Sequence, residues 1–191
     1  MSAISLKNKL KYGELLVGNA SFVPGAMVPI ETVTVGSGGA TSITFSAIPS
    51  TYKHLQVRAI CKMPQYESII LRFNGISTNS YSRHYIQGSG SAANANGAAN
   101  LTSISNLLYA DGSATDNYGA FITDILDYSS TDKNTTTRTL WGQDFNGSGY
   151  LGLDSGAFYI SNAVSTITLT TSGAATISEH SSFALYGIRG A

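Results

Sequence analysis

From residue 30 onward, apolar and polar positions alternate with period two, which predicts half-buried β-strands. "IETVTVGSGGATSITF" (30–45) reads as two strands joined by a Gly/Ser turn. "HLQVRAIC" (54–61) sets Leu55, Val57, Ala59 and Cys61 on one face and Gln56, Arg58 and Ile60 on the other. "SIILRF" (68–73) sets Ile69, Leu71 and Phe73 together, and the "NG" at 74–75 signals a tight turn. "YSRHYI" (81–86), "GAFITDILDYSS" (119–130), "TTTRTLWGQDF" (135–145), "YLGL" (150–153), "VSTITLT" (164–170) and "SFALYGI" (182–188) complete nine or ten short strands. "TDKN" marks a hairpin between the two segments it separates. Many short strands with Gly, Asn, Ser and Asp turns predict an all-β fold, an antiparallel jelly-roll-like sandwich over residues 30–191. Its inward set is expected to be Leu55, Val57, Ala59, Ile69, Leu71, Phe73, Ile122, Ile167, Leu169, Phe183 and Leu185.

Two stretches break the pattern. Residues 1–29 hold "SLKNKLKYGELLVG", a short helical pattern weakened by Gly13, and then the turning segment "NASFVPGAMVP". Leu6, Leu10, Leu15, Leu16, Val17, Phe22 and Val23 have no domain of their own there, so the segment is expected to dock as an anchor. Lys7, Lys9 and Lys11 ahead of Leu15-Leu16-Val17 imitate a signal peptide, but Gly18, Asn19 and Pro24 end the apolar part early, so this reads as mature chain. The second stretch is the excursion at 87–117. Its first half is small and polar, and Ile104, Leu107, Leu108 and Tyr109 are expected to return it to the body as a short strand.

Composition narrows the function. Charged residues are 12% of the 191, about half the usual share, and eleven basic residues balance eleven acidic ones. A neutral chain has no long-range field to gather nucleic acid or anionic lipid. No apolar run approaches the roughly 20 residues of a membrane-spanning helix. The lone cysteine, Cys61, reads as a small core residue. His54, His84 and His180 lie far apart and form no metal-binding spacing, so no metal or cofactor is expected. "GSGYLG" (147–152) matches a dinucleotide fingerprint, but strand-like sequence follows where a helix is required, so it reads as a hairpin turn. "DGSATDN" (111–117) lacks the bidentate Glu and the spacing of a calcium loop. Asp124 and Asp127 are too poorly placed on one strand for acid–base work. No catalytic residue is assigned, and the chain is not expected to be an enzyme.

Aromatic residues are more suggestive. Tyr81, Arg83 and Tyr85 share one strand face, and Trp141 shares another with Thr137, Thr139 and Gln143. Rings with a polar tip suit wet interfaces, so Tyr81, Arg83, Tyr85 and Trp141 are candidate receptor or interface contacts. The alternative is that they cap the sandwich or bury in a subunit interface.

The segments "TVTVGSGGATSITFSAIPSTYKHLQVRAI", "LRFNG", "FITDILDYSSTDK", "GSGYLGLDSGAF" and "SSFALYGIRG" resemble, in this order, small virion structural or fibre-like proteins of tailed bacteriophages. The resemblance spans roughly residues 30–190. It implies a structural or host-facing role in the phage particle, with synthesis in the host cytoplasm and no catalysis. The H-x-H pairs that hold iron in many trimeric fibre tips are absent from the sequence.

The expectation is a short tail- or baseplate-associated fibre with host-surface contact through its β domain. It would be a homo-oligomer, a trimer, joined to other virion proteins through residues 1–29. A capsid decoration (cement) protein or head fibre is the first alternative, and a carbohydrate-binding module that takes a host surface glycan is the second.

Overall fold

Alternation becomes twelve antiparallel strands in the structure, a computed structural model that describes residues 26–110, 116–173 and 175–190. They are β1 (Met27–Thr34), β2 (Ser42–Phe45), β3 (His54–Cys61), β4 (Glu67–Phe73), β5 (Tyr81–Gly88) and β6 (Ala93–Leu101). Then follow β7 (Ile104–Ala110), β8 (Gly119–Leu126), β9 (Thr135–Asp144), β10 (Gly149–Phe158), β11 (Ile167–Thr171) and β12 (Ser182–Ile188). The larger sheet has the order β1-β12-β3-β8-β9-β10-β5-β6, and the smaller has the order β2-β11-β4-β7.

The topology separates into a frame and a wing. Set β5, β6, β9 and β10 aside, and the eight remaining strands divide into two four-stranded sheets. Numbered along the chain, these run 1-8-3-6 and 2-7-4-5, the strand order of a jelly roll. The hairpin β9–β10 and the hairpin β5–β6 join each other through β10 and β5, and extend one frame sheet by four strands. We call this extension the wing. β7 packs over β8, β9, β10 and β5, so the small sheet covers the frame and the near part of the wing.

Between the frame sheets lies an apolar core. Leu55, Val57, Phe183 and Leu185 from the large sheet meet Ile69, Leu71, Phe73, Ile167 and Leu169 from the small one, all without solvent contact. Cys61 is buried among them, and loss of hydration pushes its thiol well above the ordinary range. Asn74 and Gly75 both adopt positive φ, at 52° and 69°, and the Ile76 amide donates to the Phe73 carbonyl at 2.9 Å. The expected tight turn is therefore present. It does not close a hairpin, because β4 and β5 belong to different sheets. Asn74 also fastens the loop before β11: its Nδ2 donates to the Ala163 carbonyl at 2.9 Å, and its Oδ1 accepts from the Ser165 and Thr166 amides.

Four expectations are corrected. Ile122 points outward, and Phe121, Thr123 and Ile125 point in. Apolar side chains occupy both faces of β8, so the choice falls to register: Phe121 pairs with Ala59 and Ile125 with Leu55, both core positions. β1 begins at Met27, so residues 27–29 belong to the sheet and not to a separate segment. The excursion after residue 87 contributes a full strand, β6, in addition to the expected return strand β7. In the wing, β10 runs on to Phe158, well past the "YLGL" segment.

A core position of the small sheet and a surface position of the large one should respond differently. Leu71→Ala should cost about 2–5 kcal/mol in urea denaturation, as large-to-small changes in a closed core do. Ile122→Ala should cost about 1 kcal/mol or less, the scale of one cross-strand contact.

Candidate functional site

The wing reverses the polarity expected of a sandwich. Its inner face is built from alternate residues of β9, β10 and β5, continues onto the frame strand β8, and carries Thr137, Thr139, Gln143, Asp154 and Arg83 beside Thr123 of β8, all buried. Asp154 and Arg83 are 3% and 5% exposed. Arg83 Nε donates to Asp154 Oδ1, and Trp141 Nε1 donates to Asp154 Oδ2 at 2.6 Å. The guanidinium lies 4.0 Å from the centre of the Tyr85 ring, a cation–π contact. The indole packs against Tyr109 of β7 at 5.6 Å between ring centres, and the Thr123 and Thr139 hydroxyls share a hydrogen bond of 2.9 Å. Gly152 makes the arrangement possible. A Cβ there would fall 2.3 Å from the Trp141 ring, so only glycine lets the indole lie flat across β10.

Burial raises the Asp154 carboxyl above its ordinary range, and Arg83 and the Trp141 N–H oppose that rise. Both carboxylate oxygens accept a hydrogen bond from a fixed neighbour, and solvent does not reach them. The cluster therefore fastens β9, β10 and β5 to one another. It offers no accessible acid, base or nucleophile.

Tyr81, Arg83 and Tyr85 do share a face, as the alternation predicts, and that face is the inner one. Tyr81, Arg83 and Trp141 are consequently unavailable as surface contacts in the folded chain, and Tyr85 alone of the four is half-exposed. Tyr81 stacks on Phe158 at 4.9 Å. Its hydroxyl donates to the Ile76 carbonyl at 2.9 Å and accepts from the Phe73 amide at 3.1 Å, closing the turn after β4. The anchor positions Leu6, Leu10, Leu15, Leu16, Val17, Phe22 and Val23 lie outside the described residues, as does most of "DGSATDN". "GSGYLG" spans the β9–β10 turn and the start of β10, as a hairpin reading requires.

The outer face of the wing is where sequence reasoning missed the distinctive surface. One register row runs Arg58, Ile122, Leu140, Leu153, Ile86 and Ala95 across six strands. The next row runs Ile60, Ala120, Gly142, Leu151, Gly88 and Ala93. Ile60, Ile86, Ile122, Leu140, Leu151 and Leu153 are all exposed, by 39 to 62%. Arg58 is drawn aside: its Nε donates to Gln56 Oε1 at 2.7 Å, and its guanidinium lies over Tyr186. The signal was present in "RTLWGQD" and "YLGLDSG", where Leu and polar residues alternate. It could not be read without knowing which phase turned inward.

At the base of the β8–β9 hairpin, Asp127 binds Lys53 Nζ at 2.6 Å and also Lys133 Nζ. Its amide donates to His54 Nδ1 at 2.9 Å. The two ammonium groups lower its carboxyl from 3.8 to about 2. Among the described residues, no three His, Cys, Asp or Glu side chains gather at one point, and no helix is long and apolar enough to cross a membrane. Comparison with models of protein families, with curated proteins and with solved structures gives no match.

Removing one partner of the buried pair should cost more than removing both. Asp154→Ala strands the Arg83 charge and should cost about 3–5 kcal/mol in urea denaturation, while Arg83→Leu/Asp154→Leu should lose clearly less. Asp127, with its lowered folded pKa, contributes stability that is present above pH 3.8 and lost as pH falls toward about 2. Wild type should therefore melt above Asp127→Asn near neutrality, and the gap should close between those two pH values.

Proposed function

We propose that the chain is a structural protein of a tailed-bacteriophage particle, a short tail- or baseplate-associated appendage that attaches through the residues preceding β1. The observation that carries this reading is the disposition of its chemistry. The most deeply buried charged side chains among the described residues, Arg83 and Asp154, are consumed in holding strands together, while two adjacent rows on the outer face of the wing expose Leu and Ile side chains. That is the economy of a building part, whose sheet ladders and faces act in place of a reactive centre. The order of the sequence segments shared in kind with small phage virion proteins supports the same reading, as does a charged fraction of 12%.

Mass spectrometry of purified particles, with copy number calibrated against the major capsid protein, tests it. The chain should be present in tens of copies and labelled at the tail end by antibody. Hundreds of copies over the capsid would instead make it a decoration protein, and absence from the particle would end the virion reading.

A further inference from the structure

We propose that the outer face of the wing, centred on Leu140 and Leu153, is the surface on which a second copy of this chain seats. The inference rests on the sheet face alone and holds whether or not the chain belongs to a phage particle. Six branched aliphatic side chains, Ile60, Ile86, Ile122, Leu140, Leu151 and Leu153, lie on adjacent register rows, each roughly half exposed. They form a continuous patch at or above the about 300–600 Å² that is the largest on an ordinary monomer. With the Ala and Gly positions between them, the face approaches the about 800 Å² that each partner contributes to a stable complex.

The composition of the face selects the occupant. Surfaces that take a transient foreign partner concentrate aromatic and Arg anchors in pockets. Neither of the two rows has an aromatic side chain, and the one charge within them, Arg58, is turned away toward Gln56 and Tyr186; charged side chains, Asp124 and Arg138 among them, lie in the flanking row. Permanent interfaces between identical chains are the more apolar class, and they resemble a domain core cut in two. Because the centre of the two rows, from β8 to β6, carries no charge, two copies can meet there with no like charges opposed. A sheet face of Leu, Ile, Ala and Gly packs on its own kind at the roughly 10 Å spacing of stacked sheets.

The adjoining edge points the same way. β1, at one margin of the large sheet, carries Pro29, Glu31 and a bulge between them, devices that keep an edge from pairing. β6, at the other margin, is Ala-Asn-Ala-Asn-Gly-Ala-Ala-Asn-Leu, with no charge and no proline, and Ala93–Asn100 are exposed on both of its faces. A strand so bare on both sides is marginal by itself, and a copy seated on the wing covers its outer side as well.

Light scattering coupled to size-exclusion chromatography on the full chain, at tens of micromolar, tests this. Wild type should give the mass of two or more chains. Leu140→Lys/Leu153→Lys should give the mass of one chain with an unchanged far-UV spectrum, because both side chains already face solvent in the single chain. Ile86→Lys, on the neighbouring strand, should do the same and decides the matter if the double variant loses its β spectrum. Thr44→Lys, on the outer face of the small sheet, should keep the wild-type mass. A single-chain wild type overturns the proposal, as does a folded wing variant of wild-type mass or dissociation by Thr44→Lys.

Discussion

The register of β9 against β10 is the constraint on which the wing depends. Leu140 lies opposite Leu153, and Thr139 opposite Asp154, so one choice of pairing settles the direction of every side chain in both strands. With Asp154 directed inward, a carboxylate is taken out of water and must be satisfied on the spot. Arg83 and Trp141 do this from the strands on either side of β10, and Gly152 leaves room for the indole. Slipping the pairing by one residue would expose the ion pair and drive the leucines in, breaking all of these contacts together.

The two parts of the sandwich are consequently held by different balances of force. The jelly-roll frame closes on aliphatic and aromatic side chains, where stability comes from burial and close packing. The wing adds to its buried rings, Tyr81, Trp141 and Phe158, a set of hydrogen bonds, a cation over a ring and one ion pair. Interactions of that kind add little net stability when complete and cost much when broken, so they specify one arrangement more strongly than they strengthen it. The apolar residues that a second frame-like core would have used are on the outside of the wing, available to another chain.

The frame was largely legible in the sequence. In β3, β4, β11 and β12, apolar residues alternate cleanly or run continuously, and Leu55, Val57, Leu71, Phe73, Leu169 and Phe183 fall inward as the pattern implies. The wing was not, for two physical reasons. β9 and β10, and the frame strand β8 beside them, carry apolar residues on both phases, such as Leu140 beside Trp141 and Phe121 beside Ile122, and period two cannot say which phase is buried. β6 has no large side chain before Leu101, so its strand character comes from hydrogen bonding to β5 and leaves no mark in hydropathy. Three of the four candidate contacts turn inward for the same reason. Tyr81, Arg83 and Trp141 were correctly placed on shared faces, but the sense of those faces was set by distant pairings.

The chain's lone tryptophan, Trp141, reports directly on that sense. It is 1% exposed on the inner face, next to outward Leu140. The decisive measurement is iodide quenching of its fluorescence, made on the wild type and on Leu153→Lys so that shielding by another copy does not enter. A wing that faces as described gives a blue-shifted emission that iodide does not quench in either protein. A red-shifted emission in Leu153→Lys, quenched as readily as free indole, would mean that the wing is paired in the opposite phase.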